Sequence, residues 1–211
     1  MTSYTPQQLK RKLAKAGITV TYAEGWDSRE IDPFGISPYA GVVMHHTANG
    51  GAKGNNPSLY WQMHNEYAPV RAAHVNIGRD GLVTVIAARG AYHAGACTLP
   101  ADGMQVGGQW VPGIQGNRAL FGIEIESTGT DPTIDAPVTS TDGYTRAQVR
   151  AATHLAAAIC ELMGVDHKAV INHKDWAPGR KNDTLLDKEF WRKRVKRRLL
   201  LNKAKALIPG A

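Results

Sequence analysis

The run Gly41-Val42-Val43-Met44-His45-His46-Thr47 decides how the rest of the chain is arranged. Its β-branched apolar residues stop at two histidines, as in a buried strand that carries polar side chains to the rim of a sheet. Neighbours on a strand point to opposite faces, so one of His45 and His46 can reach a given centre while the other hydrogen-bonds behind it. A second run, Leu120 to Glu126, alternates in the same way. It puts Ile123 and Ile125 on one face and Glu124 and Glu126 on the other.

Working outward, Thr5-Pro6-Gln7-Gln8 predicts a helix start, and Leu9, Leu13 and Ala16 share one face until Gly17. Ile18 to Tyr22 alternates as a short strand, and 23–40 is rich in breakers. Asn49 to Asn56 reads as a loop, followed by a helix from Pro57 through Tyr67 that sets Leu59, Tyr60 and Met63 against the core. Asp80-Gly81 between two alternating runs, Ala72 to Arg79 and Leu82 to Ala87, predicts a β-hairpin. Arg89 to Asn117 reads as one long loop over the sheet, of the length that usually serves function.

Thr145-Arg146-Ala147-Gln148 matches a capping box, and Val149, Ala152, Ala156, Ile159 and Met163 follow at helical spacing to Gly164. Lys168 to Asn172 is a short strand, and a last helix runs from Leu186 to about Ala206 with Phe190, Trp191, Val195 and Leu199 available for packing. The expected fold class is α/β, one domain with a central mixed β-sheet flanked by helices. Residues 1–40 form a helix and loop packed on a core of 41–186, and 187–211 a basic amphipathic helix.

The stretch His173-Lys174-Asp175-Trp176-Ala177-Pro178-Gly179-Arg180-Lys181-Asn182-Asp183 follows that short strand directly. It holds an imidazole, two carboxylates and two lysines around a Pro-Gly turn that can bring its ends together. Imidazole nitrogen and carboxylate oxygen are the ligand types a catalytic zinc takes, at roughly 2.0–2.2 Å. A histidine from the 41–47 strand supplies a third ligand, and the fourth position stays open for water, as in hydrolytic rather than structural sites. Asp175 and Asp183 both qualify by type. Asp175 sits two residues from His173, which makes a shared tetrahedral centre harder to close.

With 43% apolar and 20% charged residues, the 211-residue chain has the composition of a folded globular protein. The polar, lysine-rich N-terminal segment lacks the apolar core of a secretory signal, so synthesis in the cytoplasm is expected. Cys97 and Cys160 lie in unlike contexts and read as reduced thiols. The net charge of +7 calls for an anionic partner, and no nucleic-acid motif accompanies it. The basic C-terminal helix is expected to dock on the domain, with affinity for anionic wall polymers or lipid as the further possibility.

His45-His46-Thr47, Ala73-His74, Gly78-Arg79-Asp80-Gly81, Tyr92-His93-Ala94-Gly95, Gly122-Ile123-Glu124-Ile125-Glu126 and His173 through Asp183 together resemble the zinc-dependent N-acetylmuramoyl-L-alanine amidases. That family includes bacteriophage endolysins and is related to peptidoglycan-recognition proteins. The similarity runs from about Gly41 to Asp183. It implies cleavage of the amide between the lactyl group of N-acetylmuramic acid and L-alanine. It makes His45, His173 and Asp183 the Zn2+ ligands, Glu124 the general base and Lys181 the transition-state stabiliser. It places His74 near the metal and His93 along the groove for sugar or peptide.

Glu126, on the same face as Glu124, stays open as an alternative base. One departure stands out: many relatives follow the ligand aspartate with Pro-Gly, and here Thr184-Leu185-Leu186 follows, so the chain beyond the site is expected to take another path. The implied role is a phage endolysin, a monomer acting on peptidoglycan, held in the host cytoplasm until a holin-made lesion releases it to the wall. The alternatives are a cytoplasmic amidase recycling soluble muropeptides and a non-catalytic recognition module. Binding-only relatives generally lose a ligand that this chain keeps.

Overall fold

The computed structural model of the protein describes residues 3–28, 39–65, 72–98 and 102–207. In chain order the strands are β1 (Val20–Tyr22), β2 (Gly41–His46), β3 (Val75–Ile77), β4 (Val83–Val85), β5 (Gly103–Val106), β6 (Gln109–Pro112), β7 (Leu120–Ile125) and β8 (Val170–Asn172). The helices are α1 (Pro6–Ala14), α2 (Leu59–His64), α3 (Gly116–Ala119), α4 (Arg146–Met163), α5 (His173–Trp176) and α6 (Lys188–Ala206). Six strands make one sheet in the order β1-β4-β3-β7-β2-β8. Its pairs are parallel except for the β3–β4 hairpin, so the expected mixed α/β sheet is present.

The two faces of β2 and β7 divide the core. Val42, Met44, Phe121, Ile123 and Ile125 pack with the apolar side of α4 and with Leu9 and Leu13 of α1. Val43, Leu120 and Ile171 pack on the other face with Ala94, Val111 and Trp176. α4 can lie flat on the sheet because alanines fill much of its inner side, Ala151, Ala152, Ala156, Ala157 and Ala158 all being buried. Thr145 caps it, its hydroxyl accepting from Gln148 N–H at 3.0 Å, and Gly164 ends it in the left-handed conformation. α1 carries the matching box, Thr5 with Gln8.

Three sequence expectations need correction. The predicted loop 89–117 contains the β5–β6 hairpin, whose turn is Gly107-Gly108, a two-glycine signal between short alternating runs. Within the predicted helix 57–67, α2 spans Leu59–His64; its far end at 66–67 lies outside the described residues. Tyr60 on that helix is exposed, and Gln62 turns inward to accept from Asn76 Nδ2 at 3.1 Å. The stretch 173–176 is a helical turn, α5, whose start Asn172 and Asp175 cap reciprocally. Cys97 and Cys160 are both buried and neither forms a disulfide. No described helix is long and apolar enough to cross a membrane.

Candidate metal centre

Parallel register assembles the site at the carboxyl ends of β2, β7 and β8. His45 stands opposite Glu124, and Met44 opposite Asn172, so His173, the residue after β8, comes level with His45. The Pro-Gly loop then folds back. Gly179 takes φ 79°, a conformation that favours glycine, and Lys174 N–H donates to the Asp183 carbonyl at 2.8 Å. This returns Asp183 to His173 although they are ten positions apart in the chain.

His45, His173 and Asp183 are buried, and one ligand atom from each lies within 4.8 Å of the others. Asp183 Oδ2 is 2.9 Å from His45 Nδ1 and 3.1 Å from His173 Nδ1. The outward nitrogens fix what these contacts mean. His173 Nε2 donates to the Ala94 carbonyl at 3.0 Å, and His93 Nε2 donates to the Leu120 carbonyl at 2.9 Å. With its proton spent there, a neutral His93 accepts at Nδ1, 3.0 Å from His45 Nε2, which therefore carries the His45 proton. Both Nδ1 lone pairs thus face one carboxylate oxygen with no proton left between them. A cation satisfies that arrangement, and two imidazoles with one carboxylate are a donor set suited to zinc.

Charge states agree with this. Burial, then the neighbouring His173 charge, lowers His45 to about 4. Burial, with the charges of His74 and His45, takes His93 well below its ordinary value. Burial alone would raise Asp183, but its contacts with His173 and His45 outweigh that and hold the carboxyl well below the usual range. Glu124 lies 3.9 Å from His45 Nδ1, and its Oε2 makes no hydrogen bond among the described residues. Burial, then the charges of Asp183 and Glu126, pushes its carboxyl well above the ordinary value, while Lys181 pulls it down. Lys181 itself is exposed, and its charge acts on both His45 and Glu124.

The alternatives left by sequence separate on geometry. His46 points to the opposite face, its Nδ1 3.3 Å from the Tyr144 hydroxyl. Asp175 accepts from Asn172 N–H at 2.9 Å and pairs with Lys188 at 3.0 Å, so it caps α5 instead of joining the cluster. Glu126 is fully buried and accepts from Thr47, Asn49, Asn76 and both the backbone and hydroxyl of Ser58, at 2.8–3.2 Å. A carboxylate so surrounded pins β7 to the loop before α2 and has little freedom to move protons.

His74 is completely buried, stacked on Phe121 with ring centroids 4.6 Å apart, and its Nδ1 accepts from Gly122 N–H at 2.9 Å. It stands behind His93, away from the open rim. His93 is half-buried and spans the gap between His45 and β7. A Cβ on Gly122 would sit 2.5 Å from His93 Cγ, so glycine is what lets the ring lie against the strand.

Two supporting residues escaped the sequence reading. Asn117 Oδ1 accepts from the consecutive N–H groups of His93, Ala94 and Gly95, at 2.8–3.0 Å, and so holds the Tyr92-His93-Ala94-Gly95 segment in place. Thr184, where many relatives carry proline, donates from its hydroxyl to Asn172 Oδ1 or the Leu186 carbonyl, both at 3.0 Å, and accepts from Trp191 Nε1 at 3.1 Å. It ties the chain after Asp183 to β8 and α6. A lone Asn and a lone Thr leave no periodic signal that could have announced these roles.

Beyond Glu124 a cleft of about 420 Å³ opens between Thr47, Asn49, Ala52, Pro57, Trp61 and Ala72. The fold resembles that of AmpD, solved as a selenomethionine derivative, with a TM-score of 0.58 at 22% identity over 84% of this chain and 94% of AmpD. It also resembles Escherichia coli AmiD, an N-acetylmuramyl-L-alanine amidase solved with anhydro-N-acetylmuramic acid-L-Ala-D-γ-Glu-L-Lys, with a TM-score of 0.51 at 21% identity over 80% of this chain and 61% of AmiD. The endolysin amidase LysCS of Clostridium intestinale matches with a TM-score of 0.46 at 15% identity over 85% and 88% of the two chains. No curated protein matches the sequence. The N-acetylmuramoyl-L-alanine amidase family model matches residues 36–185, which is most of the sheet and every residue of the metal cluster, and the chain belongs to that family.

Proposed function

We propose that this amidase works as a phage endolysin, holding Zn2+ with His45, His173 and Asp183 and cutting the bond between N-acetylmuramic acid and L-alanine in the host wall. The observation that carries the chemistry is the free Glu124 Oε2, buried beside the three converging ligand atoms. Zinc in such a site supplies electrophilic polarisation of the substrate carbonyl and an acidified water. Glu124 takes the proton of the attacking water and returns it to the alanine nitrogen as the C–N bond breaks. Lys181 brings a mobile ammonium to the charge that builds on the carbonyl oxygen. The Ala94 carbonyl holds His173 in the required tautomer directly, and the Leu120 carbonyl does the same for His45 through His93.

The lytic role is supported by the cleft running from Glu124 past Trp61, which leaves room for a stretch of polymer beside the metal cluster. On this reading the protein waits in the host cytoplasm and reaches the wall when the inner membrane is opened. Digestion of intact sacculi, with mass spectrometry of the products, tests both statements. Free N-terminal alanine on released stem peptides is expected. New reducing sugar ends would reject the bond assignment, and activity confined to soluble muropeptides would move the role to recycling.

A further inference from the structure

We propose that the outward face of α6 docks the protein on an anionic lipid bilayer. Nine of the chain's 25 Lys and Arg residues lie in α6 with one of its 18 Asp and Glu, which leaves sixteen basic against seventeen acidic residues elsewhere. The net charge of +7 is therefore a property of this one helix, and the remainder of the protein is close to neutral. Folding uses few of these charges. Lys188 pairs with Asp175, Arg192 bonds Glu189 and the carbonyls of Val170 and Lys168, and Arg198 donates to the Ala16 carbonyl. Lys193, Arg194, Lys196, Arg197, Lys203 and Lys205 remain exposed.

The inner side of the helix is spoken for by Trp191 and Val195, which are buried against the core, and by Asn202, which donates to Glu161 of α4 at 2.9 Å. At 3.6 residues per turn the opposite side carries Lys193, Arg197, Leu200, Ala204 and Leu207 in one row. Lys196 and Lys203 flank that row on one side, Arg194, Leu201 and Lys205 on the other. Leu200 is 58% exposed, Leu201 48% and Leu207 83%. The outward row is cationic in its first half, Lys193 and Arg197, and apolar in its second, Leu200, Ala204 and Leu207, which suits a helix whose C-terminal leucines enter the acyl boundary while the stems of the surrounding Lys and Arg reach back to phosphates. A soluble polyanion would use the cations and leave the leucines without a partner, so the bilayer is the better fit.

The test is co-sedimentation of the full chain with vesicles containing phosphatidylglycerol and with vesicles of phosphatidylcholine alone. Binding to the first and not the second is expected. Lys193→Gln/Arg197→Gln/Lys203→Gln should weaken it about fivefold for each cation removed, and Leu200→Ser/Leu207→Ser by at least about tenfold. Cleavage of soluble muropeptide by both variants should stay unchanged, since neither set of changes touches the metal cluster. Failure of the unaltered protein to bind phosphatidylglycerol vesicles, or equal binding to both vesicle types, overturns the proposal. Loss with the charge variant but none with the leucine variant also overturns it and points to a soluble polyanion. Vesicle binding is read without turnover, so the proposal stands or falls apart from the lytic reading.

Discussion

His45 Nε2 lies 3.0 Å from His93 Nδ1, and the far nitrogen of His93 is spent on the Leu120 carbonyl. The chain of donors runs from the metal cluster to the backbone of β7, and it decides which nitrogen of His45 is bare. His93→Phe keeps the ring and removes both nitrogens, so His45 can place its proton on either side. Zinc affinity should fall roughly 10- to 100-fold, as measured by competition with a chromogenic chelator. Unchanged affinity would show that the tautomer of His45 is set elsewhere.

The two glutamates of β7 should separate cleanly. Glu124→Gln keeps the shape and removes the proton acceptor, so turnover should drop about 10²- to 10⁴-fold while zinc stoichiometry holds. Glu126→Ala leaves the buried Asn76 amide and the part-buried donors of Thr47, Asn49 and Ser58 without their shared acceptor. Its expected signature is lost stability, about 3 kcal/mol, read as a shift of the urea midpoint. A stable Glu126→Ala protein without activity would transfer the base role to that residue.

Acid should destabilise the metal-free protein. Burial keeps His45 at about 4 and His74 at about 3, takes His93 well below its ordinary value and lowers His46. In the unfolded chain these rings titrate near 6.5, so between pH 7 and pH 5 the unfolded state binds more protons and stability falls with pH. Glu124 works in the other direction, since its raised carboxyl keeps a proton in the fold and that contribution is lost as pH rises. His154 is lowered by burial as well, so five rings oppose one carboxyl. His45 and His74, withheld from protonation at pH 5, each cost on the order of 2 kcal/mol, and a urea midpoint independent of pH over this range would contradict the assignment of neutral imidazoles.

Trp61 is 58% exposed and lines the cleft beside Glu124 without touching the metal cluster. Trp61→Ala should raise KM for muropeptides with little change in kcat or zinc affinity, the pattern of an interaction made equally in ground and transition states. A fall in kcat at constant KM would instead mean that this side chain acts on the reacting bond.

Much of the sheet could be read from sequence because β2 and β7 are buried on both faces and announce themselves as apolar runs ending in ionisable residues. The same runs carried His45 and Glu124 side by side to one edge of the sheet. What alternation could not decide was the competition between chemically equal groups. Glu126 and Glu124 differ through Ser58, Asn49 and Asn76, which arrive from other parts of the chain. Asp175 is withdrawn from the cluster by Lys188, thirteen residues away. The β5–β6 hairpin was hidden for a plainer reason, since its strands are four residues each and glycine-rich surroundings suggest loop. Its Gly107-Gly108 turn was the available clue.

The segment gathered on Asn117 has two duties that are usually kept apart. Its outer side, at Tyr92 and Ala96, is exposed, and its inner carbonyl, that of Ala94, accepts the hydrogen bond of His173 Nε2. Any attempt to retune which wall chemistries are accepted by redesigning positions 93–98 will therefore also alter how tightly the ion is retained. Variants from such a library need their metal content assayed before a lost activity is blamed on selectivity.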